Sequence, residues 1–172
     1  MLCVDASTRF LGLALYVNGE LKEVFGWSNL MPFSLDKLET MFKYFNQILL
    51  KHGVDHIVIE KPAPVRFSKT LTSLNQCVGV LIGCAFSNGV TVDFVHNRTA
   101  KKIMKITEKG KAGKQQAINI TKLLYPKFAD QIITDHIADA IIVGEAYKVL
   151  MADPLNRPST EGFKTTYAKV KR

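Results

Sequence analysis

The chain has 172 residues, enough for one domain with a buried core, and 47% of them are hydrophobic. No stretch approaches the eighteen or so consecutive apolar residues of a membrane span, and the first residues do not form a secretion signal. The net charge of +8 favours a polyanionic partner. Three cysteines form no disulfide framework, which is typical of a reducing compartment. We therefore expect a cytoplasmic protein without a membrane partner, from a bacterium, a virus-infected cell or an organelle.

Three strands are predicted over residues 1–27. The first is the apolar run Leu2-Cys3-Val4, which ends at Asp5. Asn18-Gly19 is a strong hairpin signal because both residues tolerate positive φ. The strands on either side of it, 10–17 and 20–27, should therefore pair antiparallel.

Two strands and two helices follow in alternation. Ser34 is a typical N-cap and Gly53 a typical helix end. The apolar residues between them step by three and four: Leu35, Leu38, Phe42, Phe45 and Leu49. Residues 55–60 form the fourth strand, a second helix covers 71–85, and residues 90–95 form the fifth strand.

The remaining chain is predicted to be helical. A short helix starts at Asn97 or Thr99, a Gly- and Lys-rich turn covers 108–113, and a further helix covers 114–125. The final helix has apolar positions at Ile133, Ile137 and Ala140. Beyond residue 152 the apolar period fades, so we divide the chain into a domain, 1–152, and a basic tail, 153–172. This order predicts an α/β fold with a mixed five-stranded sheet flanked by helices.

Acidic residues end two of the predicted buried strands. Asp5 closes the first strand and Glu60 the fourth. Burying a carboxylate is costly unless something compensates it. Each acid alone is typical of a strand-end cap, but the carboxyl ends of sheet strands are where α/β folds place their sites.

The last helix adds a histidine and a third acid. His136 and Asp139 are three residues apart and so share a helix face. We therefore predict a four-ligand cluster of Asp5, Glu60, His136 and Asp139. Its oxygen ligands suit a hard divalent ion. Asp135 is a candidate to orient His136 or to compete with it.

A cluster of lysines precedes this helix. Six lysines fall within residues 101–114 against a single acid, Glu108, and we predict that they bind phosphate. They are Lys101, Lys102, Lys105, Lys109, Lys111 and Lys114.

Together these motifs resemble the RuvC family of Holliday-junction resolvases. Val4-Asp5-Ala6-Ser7 is similar to the opening aspartate motif, and Ile57-Val58-Ile59-Glu60 to the second acid of the family. Gly110-Lys111-Ala112-Gly113-Lys114-Gln115 resembles its basic turn, and His136-Ile137-Ala138-Asp139-Ala140 its closing motif. Two departures stand out: Ala6 replaces a glycine of related motifs, and the first aromatic residue after Glu60 is Phe67.

The resemblance implies a ribonuclease-H-like fold and cleavage of branched DNA, above all four-way junctions. It implies two Mg²⁺ ions per active site; because a histidine ligand softens the site, Mn²⁺ should substitute. Lys114 joins the four ligands as a catalytic residue, and Phe67 joins the lysines as a DNA contact. The family works as a homodimer, for which the second helix, with Gly79 and Gly83, offers an apolar face.

Other functions remain as alternatives. Another ribonuclease-H-like nuclease, acting on structured RNA, flaps or forks, needs the same acids and lysines. An actin-like kinase or ATPase fold needs a second phosphate loop and a longer chain. A non-catalytic DNA-binding module accounts for the lysines but not for the buried acids.

Overall fold

The predicted order of strands and helices is confirmed. A computed structural model describes residues 1–62 and 68–152. Its strands are β1 (Leu2–Ala6), β2 (Phe10–Val17), β3 (Glu20–Ser28), β4 (His56–Lys61) and β5 (Thr91–His96). Its helices are α1 (Leu35–His52), α2 (Ser68–Ser87), α3 (Asn97–Ile103), α4 (Gly110–Leu124) and α5 (Asp135–Ala152), with a 3-10 turn at Pro126–Phe128. Phe67 and the predicted tail, 153–172, lie outside the described residues.

The five strands form one mixed sheet in the order β3-β2-β1-β4-β5. β1, β2 and β3 pair antiparallel, whereas β4 pairs parallel with both β1 and β5. Because side chains alternate along a strand, each strand supplies residues to both faces. Leu2 and Val4 pack toward α1 and α2, while Cys3 and Val58 pack toward α5.

The helix signals act as predicted at α1. The Ser34 side chain accepts a hydrogen bond from Lys37 N, and Gly53 takes the left-handed conformation, φ 55°, that ends the helix. Two apolar positions differ from expectation, since Leu35 is 80% and Phe42 37% exposed. Both lie toward the solvent edge of the helix, which packs through Met41, among others.

The final helix, α5, touches the sheet backbone directly. A Cβ at Gly12 would lie 1.9 Å from the carbonyl oxygen of His136, so only glycine permits this approach. Gly144 gives the same close access to the Tyr16 ring. The first turn of α5 is thereby fixed beside Asp5, which pairs with Gly12 across β1 and β2.

Two predictions near the last helices were wrong. Ile133 is 73% exposed and precedes α5, because Thr134 Oγ1 accepts from Ile137 N and starts the helix after Ile133. Residues 110–113 are not a turn but the first residues of α4. There Gln116 Oε1 accepts from the backbone N–H of Glu108, at 3.0 Å, and supports the helix entry.

Helix α2 is long and apolar enough, over Lys69–Ser87, to cross a membrane by length and composition alone. A core helix passes the same test, and α2 packs against α1 through core residues that include Cys77 and Leu81. Only 28% of this stretch is buried, so apolar surface remains uncovered on α2. All three cysteines are free, as expected, and the structure shows that they are also buried.

Candidate active site

Asp5 and Glu60 lie at the carboxyl ends of the neighbouring parallel strands β1 and β4. The last residues that pair between the two strands are Val4 and Ile59, so the two acids follow at equivalent positions. Both belong to the face that α5 covers, because of the two-residue alternation along each strand. Asp5 is 8% exposed, and a carboxylate buried this deeply needs compensation.

His136, in the first turn of α5, is the partner of Asp5. Its Nδ1 lies 2.6 Å from Asp5 Oδ2, and its ring stacks on Phe10 with the centroids 5.2 Å apart. The hydrogen bond with Asp5 raises the pKa of His136 and outweighs burial, which lowers it. Since Nδ1 is occupied by Asp5, Nε2 is the nitrogen with which His136 can bind a metal or exchange a proton.

Asp139 follows on the same face of α5. Its Oδ1 is buried and has no hydrogen-bond partner among the described residues. Lys101 Nζ lies 3.8 Å away, which is an ion pair beyond hydrogen-bond distance. Burial raises the pKa of Asp139 to about 6, opposed by Lys101 and reinforced by Asp5.

Glu60 is held from the side of β5. Asn97, the first residue of α3, donates its Nδ2–H to Glu60 Oε1 at 2.7 Å. Burial, and next the neighbouring charge of Asp5, hold the pKa of Glu60 well above its usual range, while the Asn97 bond opposes the rise. The charge of Asp139 adds to the same effect. The three carboxylates are therefore close enough to influence one another.

This donor set fits a divalent metal ion. Three carboxylates crowd a buried region, and one of their oxygens lacks a hydrogen bond; hard cations prefer such oxygen ligands. Within the described ranges, no three His, Cys, Asp or Glu side chains already form a metal-binding group. Asp5 instead lies within hydrogen-bond distance of His136, and Glu60 accepts a hydrogen bond from Asn97.

Two of the predicted lysines reach the acids. Besides Lys101, Lys114 Nζ lies 2.5 Å from Asp135 Oδ2, and this hydrogen bond raises the pKa of Lys114. The Lys114 side chain is still 60% exposed. The other four lysines lie at exposed positions on α3, after it, and at the start of α4: Lys102, Lys105, Lys109 and Lys111. Two of the six lysines thus lie beside acids, and the other four are exposed to solvent.

Three contributors escaped the prediction. The Phe10 ring supports His136, Asn97 holds Glu60, and Thr134 starts α5. Only Thr134 had a recognisable signal, as a capping residue before the apolar period. The contacts of Phe10 and Asn97 join distant parts of the chain and have no local signature.

Comparison with known proteins places this geometry in context. The model of the family described as crossover junction endodeoxyribonuclease RuvC matches residues 30–146, a range that includes Glu60, His136 and Asp139 and begins after Asp5. No curated protein matches the chain in sequence.

Two solved structures show the fold. Thermus thermophilus RuvC in complex with Holliday junction substrate is 14% identical, with a TM-score of 0.72; the match covers 88% of this chain and 95% of that one. Fowlpox virus resolvase with its substrate Holliday junction DNA is 14% identical, with a TM-score of 0.59; the match covers 88% of this chain and 98% of that one. The predicted ribonuclease-H-like architecture is thus confirmed.

Proposed function

The chain belongs to the RuvC family of crossover junction endodeoxyribonucleases, and from that premise we propose that it resolves four-way DNA junctions at the acid cluster. One observation carries the assignment of the site. Asp5, Glu60 and Asp139 crowd a buried region at the carboxyl ends of two strands, and Asp139 Oδ1 has no hydrogen bond among the described residues. Structural acids are normally paired, so a surplus of carboxylates indicates a cation site.

Enzymes of this family depend on metal ions, and we propose two Mg²⁺ per site, with Mn²⁺ as a substitute. The proposed ligands are Asp5, Glu60, His136 and Asp139. Bound ions would polarise the scissile phosphate and activate the attacking water. The charge of Asp5 acts on both Glu60 and Asp139, so Asp5 is the acid that would contribute to both ions.

Besides binding metal, His136 is a candidate to accept a proton during cleavage. The stack on Phe10 and the bond to Asp5 fix the imidazole plane. Nε2 can then complete the ligand set or accept a proton. The hydrogen bond with Asp5 raises the pKa of His136, which makes the imidazole a stronger proton acceptor.

The lysines position the DNA. Lys101 and Lys114 form ion pairs with Asp139 and Asp135. When DNA binds, each lysine would also contact a phosphate and stabilise its negative charge. Exposed lysines on α3 and α4 continue the basic track and hold flanking phosphates, without sequence preference. Phe67 remains a proposed contact at the junction.

A homodimer would supply two sites for the two equivalent strands of a junction. Helix α2 leaves apolar surface uncovered, and Gly79 and Gly83 have open space where a side chain would be. We expect twice the 19.2 kDa chain mass in light scattering at micromolar concentration. Gly83→Arg should give a monomer, whereas Asn119→Arg on exposed α4 should not. A wild-type monomer, with and without junction DNA, would contradict this part.

The cleavage test uses an end-labelled four-way junction with Mg²⁺, Mn²⁺ or a chelator. We expect paired nicks in two opposite strands with either metal and none with chelator. Linear duplex, forks, flaps and an RNA–DNA hybrid serve as competing substrates. Equal or faster cutting of any of these would indicate a different nuclease of the same fold.

A further inference from the structure

Glu60 is the acid of the cluster whose orientation depends on a neutral partner. Its carboxylate receives the Asn97 amide at 2.7 Å, from an element 37 residues further along the chain. Asp5 and Asp139, by contrast, each face a group that carries or can carry positive charge, His136 and Lys101.

A neutral donor orients a carboxylate without neutralising it. An amide carries no charge near neutral pH, so Asn97 does not compete electrostatically with a cation for Glu60. A lysine in the same place would compete with the metal. The Asn97 hydrogen bond uses Oε1, so Oε2 is not taken up by this donor.

Asn97 lies in a part of the fold that is held in place by packing. Asn97 begins α3, where Ala100 is buried at 1% exposure, and α3 packs against α5. β5 leads directly into it and pairs with β4, with Val95 opposite Glu60. A glutamate side chain has several rotatable bonds, and a donor on such a rigid element reduces its freedom.

We infer that Asn97 is a positioning residue that holds Glu60 in the orientation required for metal binding. The inference rests on the proposed function, since Glu60 must be a metal ligand. Partners that orient a ligand are typically worth about 10- to 100-fold in metal affinity. Asn97 should therefore affect metal binding more than DNA binding.

The experiment measures Mn²⁺ binding to the full chain by calorimetry, without DNA. Asn97→Leu keeps the side-chain size but removes the donor, and it should weaken Mn²⁺ binding about 10-fold or more. Asn97→Gln keeps an amide and should recover part of the affinity. Asn119→Leu, an exposed asparagine on α4, is the matched control and should bind as wild type. Junction binding in chelator should be unchanged in all three.

Cleavage gives a second measurement. Asn97→Leu should need more metal for half-maximal rate, and high metal should restore much of kcat. If Asn97→Leu binds Mn²⁺ as tightly as wild type, the inference is overturned. It is also overturned if Asn97→Leu and Asn97→Gln both melt at a lower temperature and their loss of Mn²⁺ affinity follows that fall.

Glu60→Gln separates this inference from the proposed site. If Glu60→Gln loses Mn²⁺ and Asn97→Leu does not, the site stands and only the role of Asn97 is refuted. If Glu60→Gln binds Mn²⁺ like wild type, the site assignment fails and takes the inference with it.

Discussion

Each end of the sheet carries a histidine in contact with an aspartate, and the surroundings of the two pairs differ. At the carboxyl end of β1, His136 lies 2.6 Å from Asp5. At the opposite end, His56 Nε2 lies 3.5 Å from Asp93 Oδ2. There Tyr147 joins the pair, since its hydroxyl lies 3.1 Å from His56 Nε2 and donates to Asp93 at 2.6 Å.

The comparison shows which feature distinguishes a site from a structural network. Burial lowers the pKa of His56, whereas the bond with Asp5 raises the pKa of His136. Around His56 a neutral tyrosine satisfies both partners. Around His136 two further acids crowd Asp5, and an Asp139 oxygen lacks a hydrogen bond among the described residues. A His–Asp contact is common; the surplus of carboxylates is what indicates chemistry.

The largest expected effect on cleavage separates two single variants, in which Asp5 or Asp93 is replaced by asparagine. Loss of a metal ligand removes several kcal/mol of transition-state stabilisation, and about 1.4 kcal/mol is tenfold in rate, so Asp5→Asn should slow cleavage at least about 10³-fold. Asp93→Asn should cleave normally but melt earlier. Gel shift in chelator should show unchanged junction binding for Asp5→Asn. Loss of binding together with cleavage would instead assign Asp5 a role in folding.

The two histidines provide the next comparison. If His136 transfers protons or binds metal, His136→Gln should cost about 10²-fold in kcat, and His56→Gln little. A nitrogen ligand suits Mn²⁺, so wild-type cleavage with Mn²⁺ should at least equal that with Mg²⁺. Single-turnover rates in each metal provide the measurement. Full activity in Mg²⁺ with none in Mn²⁺ would remove His136 from the ligand set.

Alanine substitutions at two glycines that pair in the sheet, Gly12 and Gly26, test how α5 is held beside the acid cluster. Gly12→Ala would place a methyl group 1.9 Å from His136 O, so the helix must move and stability should fall by about 1–3 kcal/mol. Gly26, which pairs with Gly12 across β2 and β3, has room, since its nearest atom is 3.6 Å away. Gly26→Ala should therefore fold and cleave almost normally. Equal denaturation midpoints for the two variants would refute the close approach.

The smallest effect is a pH dependence at the opposite end. Because burial lowers the pKa of His56, the unfolded chain takes up its proton more readily. His56 therefore contributes to the stability of the fold at pH values above 6.5, its pKa in the unfolded chain. This contribution is lost as the pH falls through the lower pKa that His56 has in the folded protein. Asp93 and Asp55 oppose this shift, and the N-terminal ammonium reinforces it.

Thermal melting between about pH 7.5 and 5.5 measures this contribution. The melting temperature of wild type should fall further over this range than that of His56→Gln. Parallel losses in the two proteins would show that His56 contributes nothing to the pH dependence.

Much of the architecture was predictable from local signals. Ser34 and Gly53 bound a helix through backbone hydrogen bonds that they satisfy themselves, and Asn18-Gly19 sets a hairpin through its backbone conformation. Errors arose where burial depended on a neighbour. Leu35 and Ile133 are apolar but largely exposed within the described part of the chain, and no local sequence pattern records that.

The sequence by itself determined the element order, the mixed sheet, and the residue types of the acid cluster, because periodicity and strand-end acids are properties of short segments. Only the tertiary structure decided that Gly12 admits α5 and that Phe10 and Asn97 support His136 and Glu60. It also decided that Lys101 and Lys114, among the six clustered lysines, form ion pairs with acids of the described residues. Those contacts join residues far apart in the chain, and their energies depend on distance and burial, which exist only once the chain is folded.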